Sequence, residues 1–263
     1  MQVLAIIQAR SSSTRLPGKV LMKIEDKTML EHVCDRVLAS KLVDEVLVAT
    51  TMNRLDLAII KLCAEKGIRV YAGSENDVLD RFYQVAKIIK PANILRITAD
   101  CPIVDPANID KVIAEHLKSG ADYTGNTVGK ETYPDGQDSE IFTFEALKKS
   151  WKEAVLASER EHVTQYIKKN DTVFKIVGVE SKVDLSEHRW TVDGQEDLDF
   201  IREVNRELYP KDPVFSMEEV LNLLKTKPQL SKINYHIERN AGLKKSVDND
   251  EVAVLDDQNH EGL

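Results

Sequence analysis

Residues 3–19 read VLAIIQARSSSTRLPGK, and the character of the chain changes abruptly within this stretch. Residues 3–7 are all apolar and predict a short buried strand. A polar loop follows at once, with four hydroxyl side chains and the three cations Arg10, Arg15 and Lys19. Open α/β sheets bind ligands at loops of this kind, at the carboxyl ends of their strands. The loop therefore suits a polyanion such as a nucleoside triphosphate, although its composition alone is equally typical of a solvated surface loop.

Strand-like and helix-like segments alternate along the first 120 residues. Further strands are predicted at 45–50, 68–71 and 93–98, and helices at 29–40, 55–66, 77–89 and 109–119. This alternation predicts an α/β fold with a doubly wound, mostly parallel sheet.

Beyond residue 120 the alternation gives way to turn-rich segments. Strands are predicted at 140–144 and 174–179, a short strand end at 190–193, and helices at 144–157, 159–169, 197–208 and 217–226. Residues 1–239 are predicted to form one domain. The polar, acidic tail at 240–263 is predicted to be weakly ordered or to pack only locally.

Charge and cysteine content narrow the function classes. The net charge of −8 argues against a general nucleic-acid binder, which carries a basic face, but it leaves room for a local basic cleft. Cys34, Cys63 and Cys101 match no zinc spacing and no disulfide framework, which fits a reducing cytoplasm. The amino terminus lacks a signal-peptide pattern, and no apolar run approaches the roughly 20 residues that span a bilayer. We therefore expect a cytoplasmic protein without a membrane or nucleic-acid partner.

Two aspartates stand where later strands are predicted to end. Asp100 lies in the string RITADCP at 96–102, and Asp193 lies in RWTVDGQEDL at 189–198. Carboxylates at strand ends face the ligand crevice, and one or two of them with phosphate oxygens make a typical magnesium site. Taken alone, an aspartate in such a place is more often a helix cap or a turn residue, and Asp197 is expected to cap a helix.

The string QARSSSTRLPGK at 8–19 closely resembles the loop of the cytidylyltransferases that make CMP-activated sugars. Within them it is most similar to the spore coat polysaccharide biosynthesis protein F branch, which is related to the CMP-Kdo and CMP-sialic acid synthetases. The resemblance covers roughly residues 1–205 and includes both aspartate strings, with departures from the family pattern at Ala99 and at 194–195.

The resemblance implies a fold and a reaction. The fold is the Rossmann-like, GT-A-like fold of nucleotide-diphospho-sugar transferases. The reaction is magnesium-dependent transfer of CMP from CTP to a sugar or sugar-acid acceptor, with release of pyrophosphate, for surface polysaccharide or glycoconjugate biosynthesis. Mg²⁺ is the implied cofactor, CTP and a small-molecule acceptor are the implied partners, and a homodimer is expected. Residues of about 120–185 are expected to form the acceptor side and a dimerisation region.

Residue roles carried over from the resemblance fall into four groups. Catalysis is assigned to Arg15, Lys19 and Asp100, and metal binding to Asp100 and Asp193. Nucleotide binding is assigned to the loop, to segment 71–82 and to the fourth strand, namely Gln8, Ala9, Arg10, Ser12, Ser13, Thr14, Arg15, Lys19, Gly73, Ser74, Asp77, Arg81 and Thr98. Segments 133–140 and 158–164 resemble the acceptor side, which assigns acceptor binding to Asp138, Glu140, Arg160 and His162.

Simpler interpretations stay open for several of these residues. Ser74 or Asp77 can cap the following helix, and Arg81 can be a solvated helix residue. Asp138 and Glu140 share one face of a strand by their spacing, and that face can simply be exposed. Ser158 and Glu161 have the spacing of a capping box.

Three other functions compete with the interpretation as a sugar cytidylyltransferase. A glycosyltransferase shares the sheet architecture, but it typically carries an Asp-x-Asp pair at a strand end, whereas here Cys101 and Pro102 follow Asp100. A non-catalytic nucleotide-binding protein would bind CTP without turnover. A third alternative keeps the chemistry and changes the acceptor to a non-sugar phosphate or carboxylate metabolite.

Overall fold

A computed structural model describes residues 2–239 and 241–253. Strands are numbered in chain order: β1 (Val3–Gln8), β2 (Lys23–Ile24), β3 (Lys27–Thr28), β4 (Glu45–Thr51), β5 (Arg69–Gly73), β6 (Asn93–Thr98), β7 (Tyr123–Gly125), β8 (Glu140–Thr143) and β9 (Ile176–Gly178). The α-helices are α1 (Met29–Leu38), α2 (Leu57–Lys66), α3 (Val78–Ile89), α4 (Pro106–Ser119), α5 (Phe144–Glu153), α6 (Ala157–Glu161), α7 (Gln165–Lys169), α8 (Gln195–Leu208), α9 (Met217–Thr226) and α10 (Ala241–Asp248).

Seven of these strands form the central sheet, in the order β5-β4-β1-β6-β8-β7-β9. The strands from β5 to β6 run parallel. Strand β8 is antiparallel to both β6 and β7, and β9 is parallel to β7. The predicted α/β fold with a mostly parallel, doubly wound sheet is confirmed, and the turn-rich half of the chain adds the antiparallel pairs.

Alternate side chains of β1 enter two cores on opposite faces of the sheet, because successive side chains of a strand point to opposite sides. Ala5 and Ile7 pack with α1, α2 and α4, whereas Leu4 and Ile6 pack with α3 and α5. All four side chains are fully buried. Burial of each large aliphatic side chain stabilises the fold by about 1.5–3 kcal/mol, so β1 is held firmly at the centre of the sheet.

A third apolar cluster joins the loop after β1 to the C-terminal helices. Leu16 from that loop packs in one cluster with Trp190, Val192, α8 and α9. Trp190 is 1% exposed and is among the largest fully buried side chains. This packing brings the 8–19 loop and the segment around Asp193 together, although they are far apart in sequence.

Two predicted elements differ from the structure in a way that affects the site. The helix predicted at 159–169 is divided into α6 and α7, with Val163 between them at a positive φ of 55°. The predicted strand end at 190–193 forms no strand, and only Arg189 makes an isolated bridge, with Asp135. The break after α6 turns Thr164 towards Glu140, whose side chain accepts a hydrogen bond from the threonine hydroxyl at 2.9 Å.

The start of the acidic tail packs against a distant segment and not only locally, whereas its predicted weak order stays a prediction. Residues 241–248 form α10, and the chain after it pairs with the segment before α6. The amide of Ala157 donates to the Glu251 carbonyl at 2.8 Å, and Ser158 donates to Asp250 through both its amide and its hydroxyl. The sequence pattern could not reveal these contacts, because the partners lie about 90 residues apart in the chain. Residues 254–263 of the predicted tail lie outside the described range.

Within the part of the chain that the structure describes, no helix combines the length and the apolar character needed to cross a membrane.

Candidate active site

A cavity of about 280 Å³ opens at the carboxyl ends of β1 and β6. Residues 8–19 form nearly half of its wall. Twelve of the residues predicted to bind nucleotide or metal line it, together with Glu161 and His162; these twelve are Gln8, Ala9, Arg10, Ser12, Ser13, Thr14, Arg15, Lys19, Arg81, Thr98, Asp100 and Asp193. The structure thus brings both predicted metal ligands to the loop.

The loop is held in shape by an aspartate that the sequence analysis did not single out. Asp56 is 1% exposed and accepts a hydrogen bond from the Ser11 amide at 2.7 Å and another from the Thr51 hydroxyl. The Gly18 amide donates to the Ser11 carbonyl at 2.9 Å, which closes the loop. Asp56 lies at the start of α2, so its sequence context suggests only a helix cap.

Lys19 lies between the two predicted metal ligands. Its Nζ donates to Asp100 Oδ2 at 2.8 Å, to Asp193 Oδ1 at 3.1 Å and to the Val192 carbonyl at 2.6 Å. Burial lowers the pKa of Lys19, but the Asp100 and Asp193 carboxylates outweigh burial, and the net pKa is raised. In turn, burial raises the pKa of Asp100, and Lys19 more than offsets this and brings the pKa down to about 2. Both groups are therefore charged at neutral pH.

Asp193 is the meeting point of three cations. Arg15 contacts its Oδ1 at 2.9 Å alongside Lys19, and Arg189 contacts its Oδ2 at 2.9 Å. Arg189 is buried and also pairs with Asp135 at 2.8 Å and with Asp197 at 2.9 Å. Such charge-assisted bonds fix the carboxylate of Asp193 in one orientation towards the cavity.

The helix after Asp193 begins as the carboxylate pattern predicted. Asp197 accepts the amides of Asp193 and Gly194 at 2.9 and 3.0 Å, which confirms its capping role. Gly194 has an extended backbone, with φ of −127°, so its place in the turn does not require a glycine. The turn at 194–195 is therefore closed by the Asp197 carboxylate and not by a conformation that only glycine adopts.

A second cavity of about 420 Å³ adjoins the first. The two share Gln8, Arg15, Thr98, Asp100, His162 and Asp193 in their walls. Asp138 and Glu140, both predicted on the acceptor side, line the second cavity with His162. Three of the four predicted acceptor residues therefore lie in one cavity, next to Asp100 and Asp193.

Glu140 lines this cavity, but its carboxylate already binds other side chains of the protein. It pairs with Arg96 and with Lys168, the latter at 2.6 Å, and it accepts hydroxyl groups from Tyr123 and Thr164. Burial raises its pKa, but Lys168 and Arg96 outweigh burial and hold the pKa well below the usual range. Glu140 is thus an anchor that orders the cavity wall, rather than a free ligand for an acceptor.

Asp138 lines the second cavity and has one cationic partner among the described residues. The nearest cation is Arg239, whose Nη2 lies 3.5 Å from Asp138 Oδ1. Burial, reinforced by the nearby Asp135 carboxylate, raises the pKa of Asp138. The sequence analysis did not identify Arg239, which lies beyond the strings that carried the family resemblance.

Arg160 is a correction to the predicted site. Its side chain is buried and lines neither cavity; it donates to Asp77 Oδ2 at 2.9 Å and to the Trp151 carbonyl at 2.7 Å. These bonds tie α6 to the start of α3. Ser158 also forms no capping box with Glu161, because its hydroxyl donates to Asp250 at 2.6 Å.

Gly73, Ser74 and Asp77 line neither cavity, and their nucleotide contacts stay a prediction. Asp77 accepts the Asp80 amide at 2.8 Å and Ser74 accepts the Asp77 amide at 3.1 Å, so the simpler interpretation as caps describes them. Gly73 packs beneath Arg81.

Arg81 lines the first cavity and is not solvated. It is 2% exposed, donates from Nη1 to the Ala49 carbonyl at 3.3 Å, and leaves its buried Nε without a partner among the described residues. Burial lowers its pKa to about 10, with a smaller contribution from Arg10. A buried guanidinium with an unused donor beside this cavity suits an anionic or carbonyl oxygen of a ligand.

Comparison with known proteins identifies the protein family. The sequence model of the family described as cytidylyltransferase matches residues 4–230. The chain belongs to the cytidylyltransferase family. The predicted family resemblance is confirmed. Membership of this family favours nucleotidyl transfer over a glycosyltransferase and over a non-catalytic nucleotide-binding protein.

Three relatives show how far this cytidylyltransferase resembles known proteins. It is 38% identical to an uncharacterised protein of Methanocaldococcus jannaschii, over 90% of this chain and 96% of the relative. It is 33% identical to the spore coat polysaccharide biosynthesis protein SpsF of Bacillus subtilis, over 86% and 95% of the two chains. A solved cytidylyltransferase from Leptospira borgpetersenii superposes with a TM-score of 0.83 at 31% identity, covering 88% of this chain and 97% of that one.

Gly136 provides a stability test of the wall between the cavities and Arg189. Its φ is +101°, and an added Cβ would lie 2.6 Å from the Thr191 amide nitrogen and the Trp190 carbonyl carbon. We expect Gly136→Ala to lower the free energy of unfolding by about 2 kcal/mol or more, measured by urea denaturation. Gly129→Ala is the control, because its φ of +76° is similar but no atom lies within 4 Å of the added Cβ. Equal losses in the two variants would contradict close packing at Gly136.

Proposed function

We propose that this cytidylyltransferase transfers CMP from CTP to a sugar or sugar-acid acceptor and releases pyrophosphate, for the synthesis of a surface polysaccharide or glycoconjugate. The observation that carries the proposal is the bridge of Lys19 between Asp100 and Asp193. Asp100 and Asp193 line both cavities, one rich in hydroxyls and cations and the other rich in carboxylates and hydroxyls. Two substrates placed in these cavities would meet at the two aspartates.

The two aspartates also fit a magnesium ion. Their oxygens approach one nitrogen within 2.8 and 3.1 Å, so the carboxylates lie close enough to share a single cation. Within 2–239 and 241–253 no group of three or more His, Cys, Asp and Glu side chains has the arrangement of a metal site. A binding mode with two carboxylates, completed by phosphate oxygens and water, is typical of Mg²⁺. We propose that Asp100 and Asp193 hold it.

In the proposed reaction, an acceptor oxygen attacks the α-phosphorus of CTP in line, and the bond from that phosphorus to the bridging oxygen of pyrophosphate breaks. When bound, Mg²⁺ would neutralise charge on the phosphate oxygens. The protein's own task is to position the substrates and stabilise charge. Arg10 and Arg15 are partly exposed in the first cavity, where they can contact the triphosphate. Lys19 keeps Asp100 ionised and adds positive charge at the junction.

The proposed nucleotide is tested by a thermal-shift panel of CTP, UTP, ATP and GTP with MgCl₂. A ligand at 100 times its dissociation constant raises the free energy of unfolding by about 2.7 kcal/mol, which is readily measured. We expect this shift with CTP and little with the other three. A shift with another triphosphate and none with CTP would contradict the use of CTP.

The homodimer stays a prediction of the family resemblance. Light scattering on the purified protein would support it with a mass twice the 29.7 kDa of one chain, whereas a mass of one chain would contradict it.

A further inference from the structure

Beyond residue 230, where the family match ends, the chain returns to the second cavity. Arg239 and residues 241–253, which we call the C-terminal strap, contact the rest of the protein at three places. The first is Arg239, which holds the 131–138 loop, and the second is Ser246, whose hydroxyl donates to Glu161 at 2.9 Å. The third is the end of the strap, which pairs with residues 155–158. Between the first two contacts, Gly242 and Leu243 line the second cavity.

Arg239 binds one side of the cavity through three groups. Its Nε lies 3.1 Å from Glu131 Oε2, its Nη1 donates to the Tyr133 carbonyl at 2.9 Å, and its Nη2 lies 3.5 Å from Asp138 Oδ1. The Arg239 side chain is 18% exposed, whereas the side chains of Glu131 and Asp138 are 35% and 32% exposed. Because a guanidinium is planar and rigid, it fixes the positions of the groups that it joins.

The contact with Arg239 uses one carboxylate oxygen of Asp138 and leaves the other, Oδ2, available. Its Oδ2 has no hydrogen-bond partner in the described part of the chain, and the residue lines the cavity. A carboxylate accepts hydrogen bonds and donates none, so its natural partner is a hydroxyl or ammonium group. The other cations at this side of the cavity are occupied, because Arg96 and Lys168 both pair with Glu140.

We propose that the C-terminal strap completes the acceptor site and that Arg239 is a positioning residue for acceptor specificity. It acts through Asp138, which it holds so that Oδ2 receives the hydroxyl or ammonium donors of the acceptor. An acidic group on the acceptor would then face Arg15, which is 49% exposed and has Asp193 as its partner. This inference rests on the proposed transfer to a small-molecule acceptor.

The kinetic test compares Arg239→Ala, the conservative variant Arg239→Lys and the control Arg206→Ala. Arg206 is an exposed residue of α8 that pairs with Glu203 and lines neither cavity. Pyrophosphate release is measured with CTP and 3-deoxy-manno-octulosonate, sialic acid, glucosamine or glucose 1-phosphate as probe acceptors. We expect Arg239→Ala to raise the KM for the active acceptor about tenfold or more, with the KM for CTP and kcat within about twofold, and Arg239→Lys to recover part of the loss.

Hydrogen exchange tests the strap without any acceptor. In Arg239→Ala, amides of residues 131–139 and 241–253 should exchange about tenfold faster, whereas those of the 8–19 loop should not change. Unchanged exchange, or an unchanged acceptor KM, would overturn the proposal. Equal loss for CTP and acceptor would also overturn it, because it would indicate a merely structural role. If no probe acceptor releases pyrophosphate in the unmodified protein, that result counts against the proposed function, and the exchange measurement still decides the strap.

Discussion

Lys19→Ala should lower kcat/KM for CTP by roughly 100-fold or more, because a preorganised cation at the reacting phosphate contributes several kcal/mol to catalysis. Lys19 is largely buried and donates to both Asp100 and Asp193, whereas Arg15 and Arg189 pair with Asp193 and not with Asp100. The measurement is steady-state pyrophosphate release with CTP, MgCl₂ and an active acceptor. Turnover equal to that of the unmodified protein would remove Lys19 from the mechanism.

Lys19→Ala also tests the effect of the lysine charge on stability separately from the effect of its packing. Without the ammonium group, Asp100 and Asp193 repel each other across the space that Lys19 fills. An added divalent cation can offset that repulsion. We therefore expect the melting temperature of Lys19→Ala to rise more with MgCl₂ than that of the unmodified protein. Lys23→Ala is the matched control, because Lys23 is an exposed lysine four residues away.

Asp100→Asn should produce the second large loss, by weakening the binding of magnesium. An amide keeps the shape of the side chain but removes the negative charge that attracts a divalent cation. We expect the MgCl₂ concentration for half-maximal activity to rise about tenfold or more, with a lower maximum, and Asp193→Asn to act in the same direction. The control is Asp199→Asn, an exposed aspartate of α8 that accepts a hydrogen bond from Gln195 at 2.7 Å. An unchanged magnesium titration would exclude Asp100 as a ligand.

The pKa values of Asp100 and Lys19 predict the pH range over which their ion pair stays charged. The pKa of Asp100 is lowered to about 2, so the stability gained from its charge is present above the ordinary value of 3.8 and is lost as the pH falls through about 2. The pKa of Lys19 is raised above 10.5, so its contribution is lost only as the pH rises through that higher value. Activity changes at intermediate pH must therefore come from other groups.

The sequence predicted the centre of the fold well, for a physical reason. An uninterrupted apolar run such as Val3–Ile7 has few stable places other than the middle of a sheet, and the polar loop must then lie at its end. Helix α9 spans Met217–Thr226, which are the bounds of the predicted helix. Asp100 and Asp193 lie beside the loop, as predicted from the two strings that resemble the family pattern.

What the sequence did not predict depends on partners far along the chain. Glu140 looks like a free acceptor ligand until the fold brings Lys168 and Arg96 to it. Arg160 looks available until α6 packs against α3 and Asp77 binds it. The strap after Arg239 carries no apolar pattern, since backbone pairing and polar contacts hold it in place. Local patterns cannot reveal such contacts, because each depends on tertiary packing.

Transfer of an α-phosphate label would test CMP transfer at the junction of the two cavities. CTP labelled at the α-phosphorus is incubated with the protein, MgCl₂ and the probe acceptors, and the products are separated by charge and mass. We predict that the label appears as CMP joined to an acceptor, with one pyrophosphate released for each label transferred, and that Lys19→Ala slows this roughly 100-fold. Label recovered only as CTP with every acceptor, or as CDP after loss of the γ-phosphate, would contradict CMP transfer.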